Sequence, residues 1–354
     1  MLKLFHKRHE PLLGIDISAS AVKLVELSRA GGGYQVESFG IVQLQANDVA
    51  DDRILDPEMV GKALSRLLAK SKAKSLSGVA AVGGSSVIIK TIQMDAGISD
   101  DDIEAQLSLE ADDHIPYPLD EVALDFEVIG PTPGVPAKVD VQLVACKSET
   151  VEEREIALIS AGITAKVVDV EGFALERAFA LLVSQLGVDS ENLTVAIVDV
   201  GAWRTTLTVL RAGKTIYSRV QPFGGAQLTE QIQNHYGRSL EEAEFAKRRG
   251  GLPEDYETAV LRPFEEVLAQ QISRALQFFF AVGQYDRIDQ IFLAGGTASI
   301  SGLDQVIADQ VGVPARVANP FLDIRVASGV DEGALTAAAP SLMMACGLAL
   351  RSFD

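Results

Sequence analysis

The stretch LLGIDISASAVKLVEL (12–27) ends an apolar strand on Asp16, turns on small residues and leaves along a second strand. TVAIVDVGAWRTTLTVL (194–210) does the same around Asp199. Each copy continues into a third strand, through SRAGGGYQVESFGIVQL (28–44) in the first and RAGKTIYSRVQPFGG (211–225) in the second. Arg29-Ala30-Gly31 and Arg211-Ala212-Gly213 mark the next turn of each copy. A repeat on this scale dictates architecture before any single motif does. Two such hairpins facing each other across a cleft make a two-sided grip on a polyphosphate, with one carboxylate on each side.

The bulk properties agree with an α/β enzyme-sized chain. Its 354 residues suit about two domains, and 47% hydrophobic residues supply sizeable cores. A net charge of −18 excludes a general nucleic-acid-binding role, which needs a basic footprint. No stretch is expected to reach the ~18 apolar residues of a membrane span. The start, MLKLFHKRHE, lacks the apolar region of a signal peptide, and is read as a loosely docked terminus rather than an interfacial anchor through Leu2, Leu4 and Phe5. Cys146 and Cys346 lie in apolar surroundings and read as buried free thiols of a reducing compartment. The histidines show no metal-ligand spacing.

Residues 11–45 predict three consecutive strands, followed by a helix over 57–71 capped by Asp56 with Pro57 in its first position. VAAVGG (79–84) predicts a short buried strand. The segment 85–165 then reads as an α+β insert. It begins with a strand at 85–94 and a helix capped by Ser99 with Asp102, ending near Ile115. Strands at about 122–130 and 138–146 follow, then a helix opened by Thr150 with Glu153 through the same capping signal. AKVVDVEG (165–172) predicts a strand and 173–186 a helix. The second copy begins near Asn192; helices dominate 225–283, one capped by Ser239 with Glu242, and Pro263 interrupts or bends the longest. QIFLAGGTASISGL (290–303) is a buried strand running into a Gly-Gly turn, and SLMMACGLALR closes the chain as an apolar helix.

A carboxylate at the end of a buried strand requires a partner. For Asp16 and Asp199 that partner is either a water-bound Mg²⁺ on a nucleotide or their own turn backbone. Their repetition favours the first. Lys23, leaving the first turn, reaches back to a phosphate or is a plain strand lysine. Small residues in the turns (Ser18, Ala19 and Ser20; Gly201 and Ala202) let backbone N–H groups approach phosphate oxygens. Thr205 begins the strand after the second turn. Neither turn matches a P-loop or a dinucleotide fingerprint. Gly224-Gly225, and Gly295-Gly296 with Thr297, offer helix-start amides to an anion or are only turns. Glu244, Lys247 and Arg248 share one helix face, by default a solvated salt-bridge face. Glu171 either orients a water for attack on a terminal phosphate or caps the next helix.

The order GIDISASAVK, DVEGFALERAF, VDVGAWRTT, FLAGGTA, MMACGLALR resembles the actin-like ATPase superfamily end to end. The resemblance implies a two-domain actin-like fold of duplicated ribonuclease-H-like halves that binds ATP with Mg. First-domain residues would be 1–84 and 166–190, second-domain residues 191–340, with 341–354 a closing helix returning to the first domain. AEFAKR (243–248) resembles the adenosine-contacting helix, giving Glu244 and Lys247 that role. The insert 85–165 resembles the extra subdomain of FtsA, and EADDHIPYPLDEVALDF (110–126) is similar to the PilM family of type IV pilus assembly proteins. That resemblance implies a cytoplasmic ATP-binding adaptor of the pilus platform and twitching motility. It would be peripheral at the inner membrane through a protein partner and would hold the N-terminal peptide of PilN in a groove between first domain and insert. Other platform or motor proteins are further implied partners. An FtsA-like filament-forming ATPase and a small-molecule kinase of the same superfamily are the alternatives. Ser18-Ala19 replaces the superfamily's Gly followed by Thr or Ser, which implies weak or absent hydrolysis.

Overall fold

The computed structural model describes residues 11–45, 48–50, 53–84, 87–186, 193–283 and 285–354. In chain order the elements are β1 (Leu13–Ile17), β2 (Ala21–Ala30), β3 (Gly33–Gln43), β4 (Val49–Ala50), β5 (Arg53–Ile54), α1 (Pro57–Ser71), β6 (Ser77–Val82), β7 (Val87–Asp95) and α2 (Asp100–His114). Then come β8 (Val122–Pro131), β9 (Lys138–Lys147), α3 (Ser148–Ser160), β10 (Thr164–Val170), α4 (Glu171–Val183), β11 (Thr194–Val200), β12 (Thr205–Arg211) and β13 (Lys214–Gln221). The chain closes with α5 (Gly225–Tyr236), α6 (Leu240–Arg249), α7 (Arg262–Val282), β14 (Gln290–Ala294), α8 (Leu303–Val311), β15 (Ala315–Val317), β16 (Arg325–Val326), α9 (Glu332–Ala338) and α10 (Met343–Leu350). Ser85, Ser86, Asn192 and the basic start at 1–10, on which several expectations rested, lie outside the described residues.

The repeat in the sequence is a repeat in topology. One sheet runs β10-β6-β1-β2-β3-β16 and another β15-β14-β11-β12-β13. In both, a three-strand antiparallel meander has its first strand paired in parallel with a later strand. Only β16 is extra, paired to the edge strand β3. A third sheet, β7-β9-β8, is antiparallel and packs α2 through Met94, Ile103, Leu107 and Leu143.

Two helices bind the halves together by crossing over. α4 follows β10, an edge strand of the first sheet, yet Leu175, Phe179 and Leu182 pack with Val195, Ile197 and Phe292 of the second. α10 ends the chain, and Ala345, Cys346 and Ala349 pack with Val25, Leu27 and Val36 of the first. Close approach of α10 to α4 and to β1 depends on glycine. A Cβ at Gly347 would lie 1.8 Å from the Ala174 carbonyl oxygen, and one at Gly14 2.0 Å from that of Ala345.

Three expectations are corrected. α3 does not start on a Thr150 cap: it begins at Ser148 after Lys147, with no side-chain cap. Thr150 and Glu153 are buried within it, and Glu153 accepts from Arg53 (2.6 Å) and the Ile54 N–H (2.9 Å). α4 starts at Glu171 rather than 173. The helical run Glu332–Phe353 is, at 22 residues and mean hydropathy 1.6, long and apolar enough to cross a membrane, although 61% of its most apolar window is buried in the fold.

Other signals hold. Asp56 accepts from the Met59 N–H at the start of α1, and Ser239 and Glu242 form a capping box on α6. Both cysteines are free and buried.

Candidate functional site

Register places the first pair. In the β1–β2 hairpin Asp16 stands opposite Lys23, and Lys23 Nζ donates to Asp16 Oδ2 at 2.7 Å. Asp16 is only 8% exposed. Strand alternation alone puts both side chains on one face of the hairpin. In the second half Asp199 stands opposite Thr206 of β12 and beside Ala294 of β14. Glu171, the first residue of α4, faces the same space from the end of β10.

The charges of these groups act on one another across the two halves. Glu171 is pushed up to about 7, first by burial and then by the charges of Asp16 and Asp199, while Arg154 and Lys23 oppose the shift. Asp199 is pushed up to about 6 by burial and by Asp16, against the pull of Lys23. Burial acts to lower Lys23, but the Asp16 carboxylate overrides it and holds the ammonium above its ordinary value, helped by Asp199 and Glu171. Burial is the largest cause of both raised carboxyls, and a hydrated divalent cation would offset the cost of charging them. Among the described residues no three His, Cys, Asp or Glu side chains lie close enough to coordinate a metal directly. Asp16 and Asp199 are the carboxylates that could hold a cation through water.

The turns behave differently from the expectation. The N–H groups at the start of α5 are not open to an anion. Gly225 N–H donates to Gly201 O (2.9 Å), Ala226 N–H to Ala202 O (2.7 Å) and Gly224 N–H to Gln227 Oε1 (2.8 Å). Gly224 is there for proximity, since a Cβ would lie 2.6 Å from Gly201 O. The Thr297 hydroxyl also donates to Gly201 O (3.1 Å), and Thr205 donates to Phe223 O (2.7 Å). In the first turn Ser18 donates through both N–H and hydroxyl to Ala21 O, at 3.0 and 2.9 Å. Among the described residues the N–H groups of Ala19 and Ser20 make no such bond. Gly295, at φ +88°, brings the β14 turn against β11, where a Cβ would meet Asp199 Oδ1 at 2.5 Å; Gly296 next to it has open space.

α6 is tied to the same turn system. Lys247 Nζ donates to Gly225 O (3.1 Å), Thr229 Oγ1 (2.5 Å) and Glu244 Oε1 (2.8 Å), and Arg248 pairs with Glu244 Oε2 at 2.8 Å. Burial pushes Glu244 up, but these bonds outweigh it and hold the carboxyl below its ordinary value. The trio Glu244, Lys247, Arg248 is therefore part of an interhelical network linked through Gly225 to Gly201, not a plain solvated face. The structure so brings Asp199, Gly201, Ala202, Thr205, Gly224, Gly225, Glu244, Lys247, Arg248, Gly295, Gly296 and Thr297 to one side of the cleft. Asp16, Ser18, Ala19, Ser20, Lys23 and Glu171 form the other.

Sequence reading missed three contributors. Arg204 ends the second turn and reaches across the cleft to Glu171, Nη2 to Oε2 at 3.5 Å. Arg154 of α3 donates to the carbonyls of Ala81 (3.1 Å) and Thr150 (3.1 Å) and acts electrostatically on Glu171. Gly83 leaves room for Glu171: a Cβ there would lie 2.0 Å from Glu171 Oε2. A signal existed for Arg204, because Trp203-Arg204 interrupts a turn otherwise made of small residues.

Comparison with known proteins fits this geometry. A model of the family described as type IV pilus assembly protein PilM matches residues 14–353. In sequence the chain is 27% identical to cell division protein FtsA of Bacillus subtilis (strain 168) over 163 residues, spanning 37% of that protein's length. The structure of a PilM–PilN type IV pilus biogenesis complex superposes with a TM-score of 0.80 at 28% identity, over 98% of this chain and 99% of that one. Ethanolamine utilization protein EutJ from Carboxydothermus hydrogenoformans shares the fold at 18% identity and a TM-score of 0.59, over 96% of this chain and 89% of its own. The architecture is that of the actin-like ATPases, and the chain belongs to the PilM family of type IV pilus assembly proteins.

Proposed function

We propose that this chain is a nucleotide-gated adaptor of the pilus assembly platform: Mg-ATP binds between the two hairpins, and the resulting closure shapes a groove for the N-terminal peptide of PilN. The observation that carries the nucleotide reading is the convergence of Asp16–Lys23, Asp199 and Glu171 from opposite halves onto one cleft. The likeness to a PilM–PilN complex across nearly both whole chains supports the partner. The division into 1–84 with 166–190, an insert at 85–165, a second domain at 191–340 and a closing segment at 341–354 follows the same reading.

Within it, Lys23 is positioned by Asp16 at the phosphate end, and the Ala19 and Ser20 amides face an anion. Glu244 and Lys247 flank the nucleoside end. Magnesium, when bound, neutralises phosphate charge that the three carboxylates would otherwise repel. Hydrolysis is slow: the Ser18 hydroxyl is engaged by Ala21 O and Ala19 has none to offer, so turnover falls below the ~1–10³ s⁻¹ of ordinary enzymes. The protein works in the cytoplasm and meets the inner membrane through its partner. Its acidic insert face, including Asp100, Asp101, Asp102 and Glu121, suits a peptide with basic residues.

A ligand that binds only the folded form raises apparent stability. Millimolar Mg-ATP should therefore raise the melting temperature of the wild type and do much less for Asp16→Ala. No shift, together with no heat of binding on calorimetry, overturns the nucleotide reading. For the partner, labelled PilN N-terminal peptide should show raised anisotropy with wild type and not with a folded variant lacking 85–165; equal binding by both places the partner elsewhere.

A further inference from the structure

We propose that the outer edge of β13, with the face of α7 beside it, is a docking site for an extended acidic segment of a partner protein, which adds as a strand to the second sheet. The site is separate from the first-domain groove proposed for PilN, and it stands whether or not a nucleotide binds.

The edge is open along most of its length. β13 ends the second sheet and pairs with β12 alone. Glu176 of α4 closes its Lys214 end, accepting from the Thr215 N–H at 2.8 Å and from Lys214 Nζ at 3.2 Å. Among the described residues no strand pairs with the outer edge from Ile216 to Val220. Such an edge presents a row of free N–H and C=O groups to an incoming strand.

Charge selects the occupant. The chain holds 49 Asp and Glu residues, yet β13 and the stretch Val267–Val282 of α7 hold none. Their charged residues are Lys214, Arg219 and Arg274. Arg219 and Gln221 stand opposite Leu207 and Thr205 in the ladder, on the side of the sheet that α7 covers. Gln221 Nε2 donates to Gln271 O of α7 at 3.1 Å. The Arg219 guanidinium lies 3.9 Å from the Phe278 ring centroid, and that of Arg274 lies 5.9 Å from the same ring. Neither arginine has an ion pair among the described residues. Arg219 Nε and Gln221 Oε1 are buried without a hydrogen-bond partner, which costs stability until a partner group is supplied. Two cations on one aromatic ring repel each other, and a carboxylate between them relieves the repulsion through charge-assisted bonds.

The apolar residues fit the same geometry. Val267, Phe278 and Val282 recur at helical spacing along α7, all exposed, the last at 79%. On the reverse face of β13, Val220 is 47% exposed. Side chains of an added strand alternate between the two faces. Those on the α7 side meet Arg219, Phe278 and Arg274, and those on the other meet Val220. The segment that fits therefore alternates acidic and aliphatic residues. A lipid surface fits worse, because hydrocarbon leaves the edge groups of β13 unsatisfied.

The probe is a labelled peptide of about ten residues alternating valine and glutamate. Its anisotropy should rise on titration with wild type, with a Kd tighter than about 1 mM. Arg274→Glu, at an exposed helical position, should weaken binding about 10-fold or more at an unchanged melting temperature. The same peptide with lysine in place of glutamate should not bind. Methylating its alternate backbone nitrogens, which blocks strand pairing, should cost about 10-fold or more. No rise in anisotropy up to about 1 mM protein overturns the proposal. Equal binding of the lysine peptide overturns the acidic occupant, and equal binding of the methylated peptide overturns strand addition. A wild-type dimer in sedimentation velocity that Arg274→Glu makes monomeric gives the face to a second copy of this chain and overturns the partner reading. Co-sedimentation with phosphatidylglycerol vesicles that is lost in Phe278→Ser gives it to lipid and overturns that reading as well.

Discussion

Glu171 holds an unfavourable position for a carboxylate, and that gives a measurable sign. Its folded-state value is raised to about 7 from an ordinary 4.5, by burial and by the neighbouring charges of Asp16 and Asp199. A raised value means the folded state binds the proton more tightly than the unfolded state. The stabilising contribution is then fully present below about pH 4.5 and is lost as pH rises through about 7. Asp199, raised to about 6 by the same burial, adds a loss in an overlapping window. Replacing Glu171 with the uncharged isostere removes its share of the penalty. The unfolding free energy of Glu171→Gln minus that of wild type should therefore be more positive at pH 8 than at pH 5, by on the order of 1 kcal/mol once partial solvation is allowed for, with the difference in melting temperature moving the same way. Melting curves at the two pH values check this, and a difference of opposite sign contradicts the carboxylate cluster. The Glu171 position was legible because it ends a strand pattern. Its partner Arg204 was not, since no local period links residues in different halves. Only the tertiary fold brings the start of α4 and the turn before β12 within 3.5 Å.

At the scale of elements, the helix crossing of α4 and α10 is set by glycine, and that is the place to test the architecture. A Cβ at Gly347 would lie 1.8 Å from Ala174 O and 2.5 Å from Ala174 C, both backbone atoms of a packed helix. Backbone does not yield as the tip of a long side chain does, so Gly347→Ala should cost at least ~2–3 kcal/mol. Gly172, in the first turn of α4, has open space around its Cβ position and an ordinary φ. There Gly172→Ala should be neutral or stabilising by up to ~1 kcal/mol. Denaturant midpoints of the two variants would separate them, and equal midpoints would show that the crossing is not tight. The same scale explains what the sequence could disclose. A Ser or Thr with Glu three residues on marks a helix start at Ser239, where the serine lies outside the helix and its N–H groups are unsatisfied. The pattern recurs at Thr150–Glu153 inside α3, where Arg53 and the Ile54 N–H recruit the glutamate from a distant part of the chain. Likewise Gly224-Gly225 signalled a tight turn correctly. What it could not disclose is that the Gly201 and Ala202 carbonyls occupy the amides there.

For the whole molecule, the crossing helices make the two halves a pair of levers. α4 leaves the first sheet and packs on the second, while α10 leaves the second half and packs on the first, so rotation of one half moves an element buried in the other. The three-stranded sheet connects to this system through α3. Glu153 holds Arg53 beside β5, and Arg154 donates to Ala81 O on β6 while acting on Glu171 in the cleft. A ligand that shifts Glu171 therefore acts on the base of the unit proposed to form the peptide groove. Coupling between two sites is reciprocal: if ATP tightens the peptide by some factor, the peptide tightens ATP by the same factor. Saturating Mg-ATP should lower the Kd of the PilN peptide by about 5-fold or more, the lower end of ordinary coupling. Saturating peptide should lower the Kd of ATP by an equal factor, read by calorimetry on the same preparation. Equal peptide affinity with and without ATP would mean that closure stops at the cleft and that the peptide site is built independently of the nucleotide.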